Sequence, residues 1–142
     1  MSEYFLPLNK VSQNDIAIVG GKNASLGEMI QHLSGAGIRV PHGFATTTTT
    51  FRKFLAQNGL DRKIYSLLNN TPIEDTLSLA QAGQQIRDWI MQTPFPDDIE
   101  QSLRQACQSL MNEYDDSISF AVRSSATAED LPSASFAGQQ ET

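Results

Sequence analysis

The stretch Ile16-Ala-Ile-Val-Gly-Gly-Lys-Asn-Ala-Ser-Leu-Gly-Glu-Met-Ile-Gln-His-Leu33 joins three patterns in quick succession. It opens on an apolar run, Ile16–Val19, that continues the apolar patches at Phe5, Leu6 and Leu8, so residues 5–19 read as extended. Gly20-Gly21-Lys22 follows as a turn. Leu26, Met29, Ile30 and Leu33 then recur at i, i+3, i+4 and i+7, which is one face of a helix. Asn23 or Ser25 is placed to cap that helix, and Ser25 with Glu28 has capping-box spacing. Gly35 and Gly37 close it.

Downstream, Ile38–Ala45 reads as extended around Pro41. The five threonines Thr46–Thr50 read as a strand end running into a helix cap. The next helix begins with Phe51, Phe54 and Leu55 and ends near Gly59, and Ile64, Leu67 and Leu68 form a short helix after Asp61. Leu77–Met91 is the cleanest amphipathic stretch, with Leu79, Gly83, Ile86, Trp89 and Ile90 along one stripe. Pro94 and Pro96 separate it from a helix that starts at Asp97-Asp98, where acidic groups meet the positive end of the helix dipole. Ile99, Leu103, Cys107 and Leu110 give that helix its inward face. At Ile118-Ser-Phe-Ala-Val122 the pattern turns strand-like, and Ser133–Thr142 reads as one arm of a hairpin turning at Gly138. The expectation is a mixed α/β (α+β) domain with helices inserted between strands.

Composition bounds what such a domain does. A chain of 142 residues is one ordinary domain, and 39% apolar residues suffice for a core. A net charge of −6 argues against nucleic acid as a partner, because a phosphate-backbone binder shows a basic face. No polybasic patch addresses a membrane surface, no run approaches the roughly 20 apolar residues of a membrane helix, and Met1–Leu8 does not read as a signal peptide. A single cysteine, Cys107, forms no intramolecular disulfide and suits a reducing cytosol. The chain stops just past Gly138 without a closing element, so residues 1–142 read as a domain cut short at its C-terminus.

Three constellations could carry chemistry; P-loop, GxGxxG, Cys/His and HExxH motifs are missing from the sequence. His32 reads as a solvated helix residue and His42 as a turn residue after Pro41. Gly20-Gly21-Lys22 is either a plain turn or a phosphate site, where glycines admit close backbone approach and Lys22 adds a compact positive charge. Arg123, leaving an apolar strand beside Ser124, Ser125 and Thr127, can grip phosphate oxygens with two parallel hydrogen bonds, or can pair locally with Glu129 or Asp130. Gly138, flanked by Ser135, Gln139, Gln140 and Thr142, is a hairpin turn or a backbone fold over a phosphate chain.

In this order, Gly20-Gly-Lys-Asn-Ala-Ser-Leu-Gly-Glu-Met29, Val40-Pro-His-Gly-Phe-Ala-Thr46, Phe120-Ala-Val-Arg-Ser-Ser-Ala-Thr-Ala-Glu-Asp130 and Ser135-Phe-Ala-Gly-Gln-Gln-Glu-Thr142 resemble the N-terminus of the dikinase family. That family comprises phosphoenolpyruvate synthases, pyruvate phosphate dikinases, rifampin phosphotransferases and glucan water dikinases. Leu79–Phe95 is most similar to the synthase branch. The resemblance implies the N-terminal part of an ATP-grasp nucleotide-binding domain in a cytoplasmic enzyme. It implies that Lys22 and Arg123 contact the ATP phosphates, Arg123 in a catalytic role, and that Gly138 and Thr142 lie in a lid loop over the nucleotide. It further implies transfer of the β-phosphoryl of ATP to a histidine on a swivelling domain, then to pyruvate, with AMP and phosphate released and Mg2+ held by residues outside this segment. The full-length protein is expected to be a homodimer, and this segment alone is expected not to turn over. A rifampin phosphotransferase, or a non-catalytic fragment of such a domain, is the alternative.

Overall fold

A computed structural model of the chain describes residues 3–114 and 117–128. Two short strands, β1 (Phe5–Pro7) and β2 (Phe44–Thr46), pair antiparallel with Phe5 opposite Thr46, Leu6 opposite Ala45 and Pro7 opposite Phe44. The described residues also contain six α-helices: α1 (Ile16–Val19), α2 (Gly21–Ser34), α3 (Thr48–Ala56), α4 (Leu60–Asn69), α5 (Thr76–Gln92) and α6 (Asp97–Glu113). Turns of 3-10 helix at Leu8–Lys10, Gln13–Asp15 and Gln57–Gly59 connect them. The described part is thus helix-rich, with a two-stranded sheet.

The sequence reading needs correction at its starting point. Residues 5–19 are not one extended run: after β1 the chain turns twice, and Ile16–Val19 is helical. A capping box at Ser12 and Asp15, not at Ser25 and Glu28, starts the 3-10 turn Gln13–Asp15 that leads directly into α1. The Ser12 hydroxyl accepts from the Asn14 N–H at 3.3 Å, and the Asp15 carboxylate accepts from the Ser12 N–H at 2.8 Å. Such reciprocal bonds satisfy first-turn donors and start a helix. Gly20, at φ +83°, breaks it one turn later, in a backbone region where a Cβ is strained. α2 starts at Gly21 with no side-chain cap, and Glu28 instead accepts from the Gln13 N–H at 3.1 Å.

The inward face of α2 is shifted from the expected stripe: it keeps Ile30 and Leu26 but takes in small residues and leaves out Met29. Gly21, Ala24, Gly27 and Ile30 are buried, whereas Met29 is exposed. A Cβ on Gly27 would lie 2.1 Å from the Val11 carbonyl oxygen and 2.9 Å from that of Leu8, so the helix backbone presses directly on the Leu8–Val11 turn. Leu8, Val11, Val19, Ile30 and Ala45 form the core there, with Leu6, Leu26 and Val40 packed around it.

Several other expectations match the structure. β2 ends at Thr46, and Thr47 caps α3 by accepting from the Thr50 N–H at 3.3 Å. Both residues are buried because their hydroxyls also donate to the carbonyls of Glu3 (2.8 Å) and Tyr4 (2.7 Å), tying α3 to the strand opposite. α4, α5 and α6 fall where the 3.6-residue period puts them, and Ile99 of α6 is fully buried. Ile118–Val122 forms no β-ladder among the described residues, and Phe120 and Val122 are exposed. Arg123 therefore does not leave a buried strand here. The hairpin arm read at Ser133–Thr142 lies outside the described residues.

Candidate functional site

The two glycines before α2 and the segment after Arg123 meet. The Gly21 N–H donates to the Ala126 carbonyl at 3.0 Å, and the Asn23 N–H reaches the Ser125 hydroxyl at 3.4 Å across 102 residues of sequence. Gly20 packs so closely on this segment that a Cβ there would lie 2.3 Å from Ser125 Oγ and 2.9 Å from the Ser125 carbonyl carbon. The Asn23 amide donates to the Val19 carbonyl at 2.8 Å, which locks the start of α2 to the end of α1. The backbone on both sides of Lys22 is thus fastened to the residues two and three positions beyond Arg123.

This changes the meaning of the glycine pair. Close backbone approach is used, but the group approached is the protein's own Ser125–Ala126 segment. Two of the first-turn N–H groups of α2, at Gly21 and Asn23, are occupied by it, so an anion here is met chiefly by side-chain charge. Lys22 is half-buried and Arg123 exposed. Of the sequence-derived site residues, the structure brings the flanks of Lys22 and Arg123 together; Gly138 and Thr142, like Glu129 and Asp130, lie outside the described residues. Ser125 and Gly20 were not singled out for this contact, and no local signal could have found it.

Two further polar clusters sit on other faces. Tyr4 Oη donates to Asp98 Oδ2 at 2.6 Å, and Lys53 Nζ bonds both Tyr4 Oη (2.6 Å) and Asp98. The Lys53 ammonium, helped by the Tyr4 hydroxyl, holds the Asp98 carboxyl down at about 2. Asp98, followed by Tyr4, pushes the Lys53 ammonium up, and the bond to Asp98 pushes the Tyr4 hydroxyl up. His42 Nδ1 contacts Glu113, and the His42 N–H donates to Tyr114 Oη at 2.8 Å, at the rim of a 240 Å³ groove that Phe5, Phe44 and Leu110 also line. His42 thus fastens the segment before β2 to the end of α6, as a turn residue with a structural partner. Among the described residues no three His, Cys, Asp or Glu side chains converge to hold a metal ion. No helix there is long and apolar enough to cross a membrane.

Comparison with known proteins adds the family. Residues 16–142 match the model of the pyruvate phosphate dikinase AMP/ATP-binding domain. A phosphoenolpyruvate synthase of Escherichia coli K12 is 58% identical over 134 residues, covering 94% of this chain and 17% of that protein. Those of Pseudomonas aeruginosa and Neisseria meningitidis are 53% and 50% identical, covering 100% and 98% of this chain and 18% of each relative. The chain therefore spans about a sixth of the length of the curated relatives it matches.

Proposed function

The chain belongs to the pyruvate phosphate dikinase AMP/ATP-binding domain family, and on that premise we propose that it is the leading part of the nucleotide-binding domain of a cytoplasmic phosphoenolpyruvate synthase. The observation that carries this reading is the family match over residues 16–142, joined to relatives named phosphoenolpyruvate synthase at up to 58% identity. The fold it belongs to is an ATP-grasp domain, of which residues 1–142 form the N-terminal part. The whole enzyme converts pyruvate, ATP and water to phosphoenolpyruvate, AMP and phosphate, passing the phosphoryl group through a histidine on another domain.

In that reaction the work of this segment is positioning and charge neutralisation, the general logic of phosphoryl transfer. Lys22 supplies a compact ammonium to the phosphate chain, and Arg123 supplies a planar guanidinium suited to two parallel bonds with phosphate oxygens. The fastening of Gly21 and Asn23 to Ser125 and Ala126 supports their acting on one ligand. Gly138 and Thr142 close over the nucleotide. Mg2+ is a partner of ATP whose ligands belong to later parts of the enzyme, and no step of this segment runs through it.

Calorimetric titration tests the reading. The full-length enzyme is expected to bind ATP saturably, and Arg123→Ala or Lys22→Ala to weaken that binding by about 10- to 100-fold, the scale of losing one hydrogen bond to a charged group. In the full-length enzyme Arg123→Ala is expected to abolish pyruvate-dependent AMP formation with the fold intact. Unchanged affinity and near-normal turnover in that variant would remove Arg123 from the site.

A further inference from the structure

We propose that Ser125 is a positioning residue for the triphosphate, keeping the Arg123 guanidinium in register with Lys22 through its contact with the first turn of α2. The inference rests on the reading that these two cations bind the phosphates, and it deepens that reading.

Three observations converge on Ser125. Its hydroxyl accepts the N–H of Asn23, the residue after Lys22, while the next residue, Ala126, accepts the N–H of Gly21, the residue before Lys22. On the other side, Gly20 leaves only the space of a missing side chain, 2.3 Å from Ser125 Oγ and 3.0 Å from the Ala126 nitrogen. The Asn23 side chain then ties this turn back to Val19 at 2.8 Å, so the turn cannot give way without disturbing α1. Two residues of chain span at most about 7 Å, so the Arg123 Cα stays within that reach of a serine pinned beside Lys22. Two long, flexible cationic side chains are thereby anchored on one rigid backbone joint.

Anchoring of this kind affects a multi-phosphate ligand more than a monophosphate. ATP presents oxygens to both cations at once, so a shift of one anchor relative to the other breaks a two-point grip. AMP has a single phosphate and no such grip to lose. Misplacement by about 1 Å can cost on the order of 10²-fold in a preorganised site, so loss of the joint is expected to act on the difference between the two nucleotides.

The test titrates the full-length enzyme with ATP and with AMP, each with thermal melting, for the unmodified protein and for Ser125→Ala, Gly20→Ala, the double variant and Arg123→Ala. Ser125→Ala and Gly20→Ala attack the joint from opposite sides. Each is expected to weaken ATP binding about tenfold or more while AMP binding stays within about threefold. In the double variant the two losses of ATP affinity should be less than additive, because both substitutions act on the same joint. If Ser125→Ala weakens both nucleotides equally, or only in proportion to lost folded protein, its role is structural and the proposal falls. If Arg123→Ala weakens ATP binding but Ser125→Ala and Gly20→Ala do not, the proposal falls alone and the phosphate reading stands. If the unmodified full-length enzyme does not bind ATP, or its Arg123→Ala variant binds ATP normally, the underlying reading falls and takes the proposal with it.

Discussion

Asp98 sits in the first turn of α6 with Tyr4 and Lys53 bonded to one carboxylate oxygen. Its carboxyl titrates at about 2 against an ordinary 3.8, because the Lys53 ammonium favours the charged form. A lowered folded value means that the cluster's contribution is complete above pH 3.8 and disappears as pH falls from there through about 2. Carboxyl NMR titration is expected to show a midpoint near 2, and Lys53→Met to move it back toward the ordinary value. A midpoint that stays low in that variant would mean Lys53 is not the cause. At this scale the sequence was partly legible. Thr47 as a cap and Asp98 at a helix start follow from local chemistry. The use of Asp98 to hold β1 and α3 does not, because Tyr4 lies 94 residues away.

Two glycines in helix interiors make a matched pair at the scale of elements. Gly27 of α2 has the Val11 carbonyl where a Cβ would sit, whereas Gly83 of α5 has only the Arg87 guanidinium at 3.6 Å. Alanine favours a helix over glycine by about 1 kcal/mol when nothing obstructs it, so Gly83→Ala is expected to stabilise the fold by up to that amount. Gly27→Ala gains the same propensity but forces two backbone segments apart, and overpacking of this kind costs roughly 1–3 kcal/mol or more. Denaturant melts should move in opposite directions; a stabilised Gly27→Ala would mean that α2 does not press on the Leu8–Val11 turn. The long helices were legible because their apolar period repeats over several turns. α1 was not: four apolar residues in a row fit strand and helix equally well. The inward face of α2 was legible only in part: Ile30 and Leu26 were marked, but the buried Gly21, Ala24 and Gly27 were not, since small residues are not marked by hydrophobicity.

Over the whole molecule, α6 lies against β1, and Ile99 sits in that helix. It is fully buried on α6, one residue after the Asp98 that bonds Tyr4 and Lys53. Ile99→Ala should cost about 2–5 kcal/mol, the range for removing a large aliphatic side chain from a packed site, and should lower the melting temperature of the whole chain in one transition. Two separate transitions would show that α6 does not share a cooperative unit with β1 and α3.

By itself the sequence determined the family and the helices from α3 to α6, because motifs, caps and helical periods are written in residues near one another. Tertiary structure alone decided that Ile16–Val19 is helical, that small residues join the inward face of α2, and that Gly20 and Asn23 close on Ser125. Each of those depends on steric fit between segments far apart in the chain, and fit is a property of shape that no local pattern of polarity records.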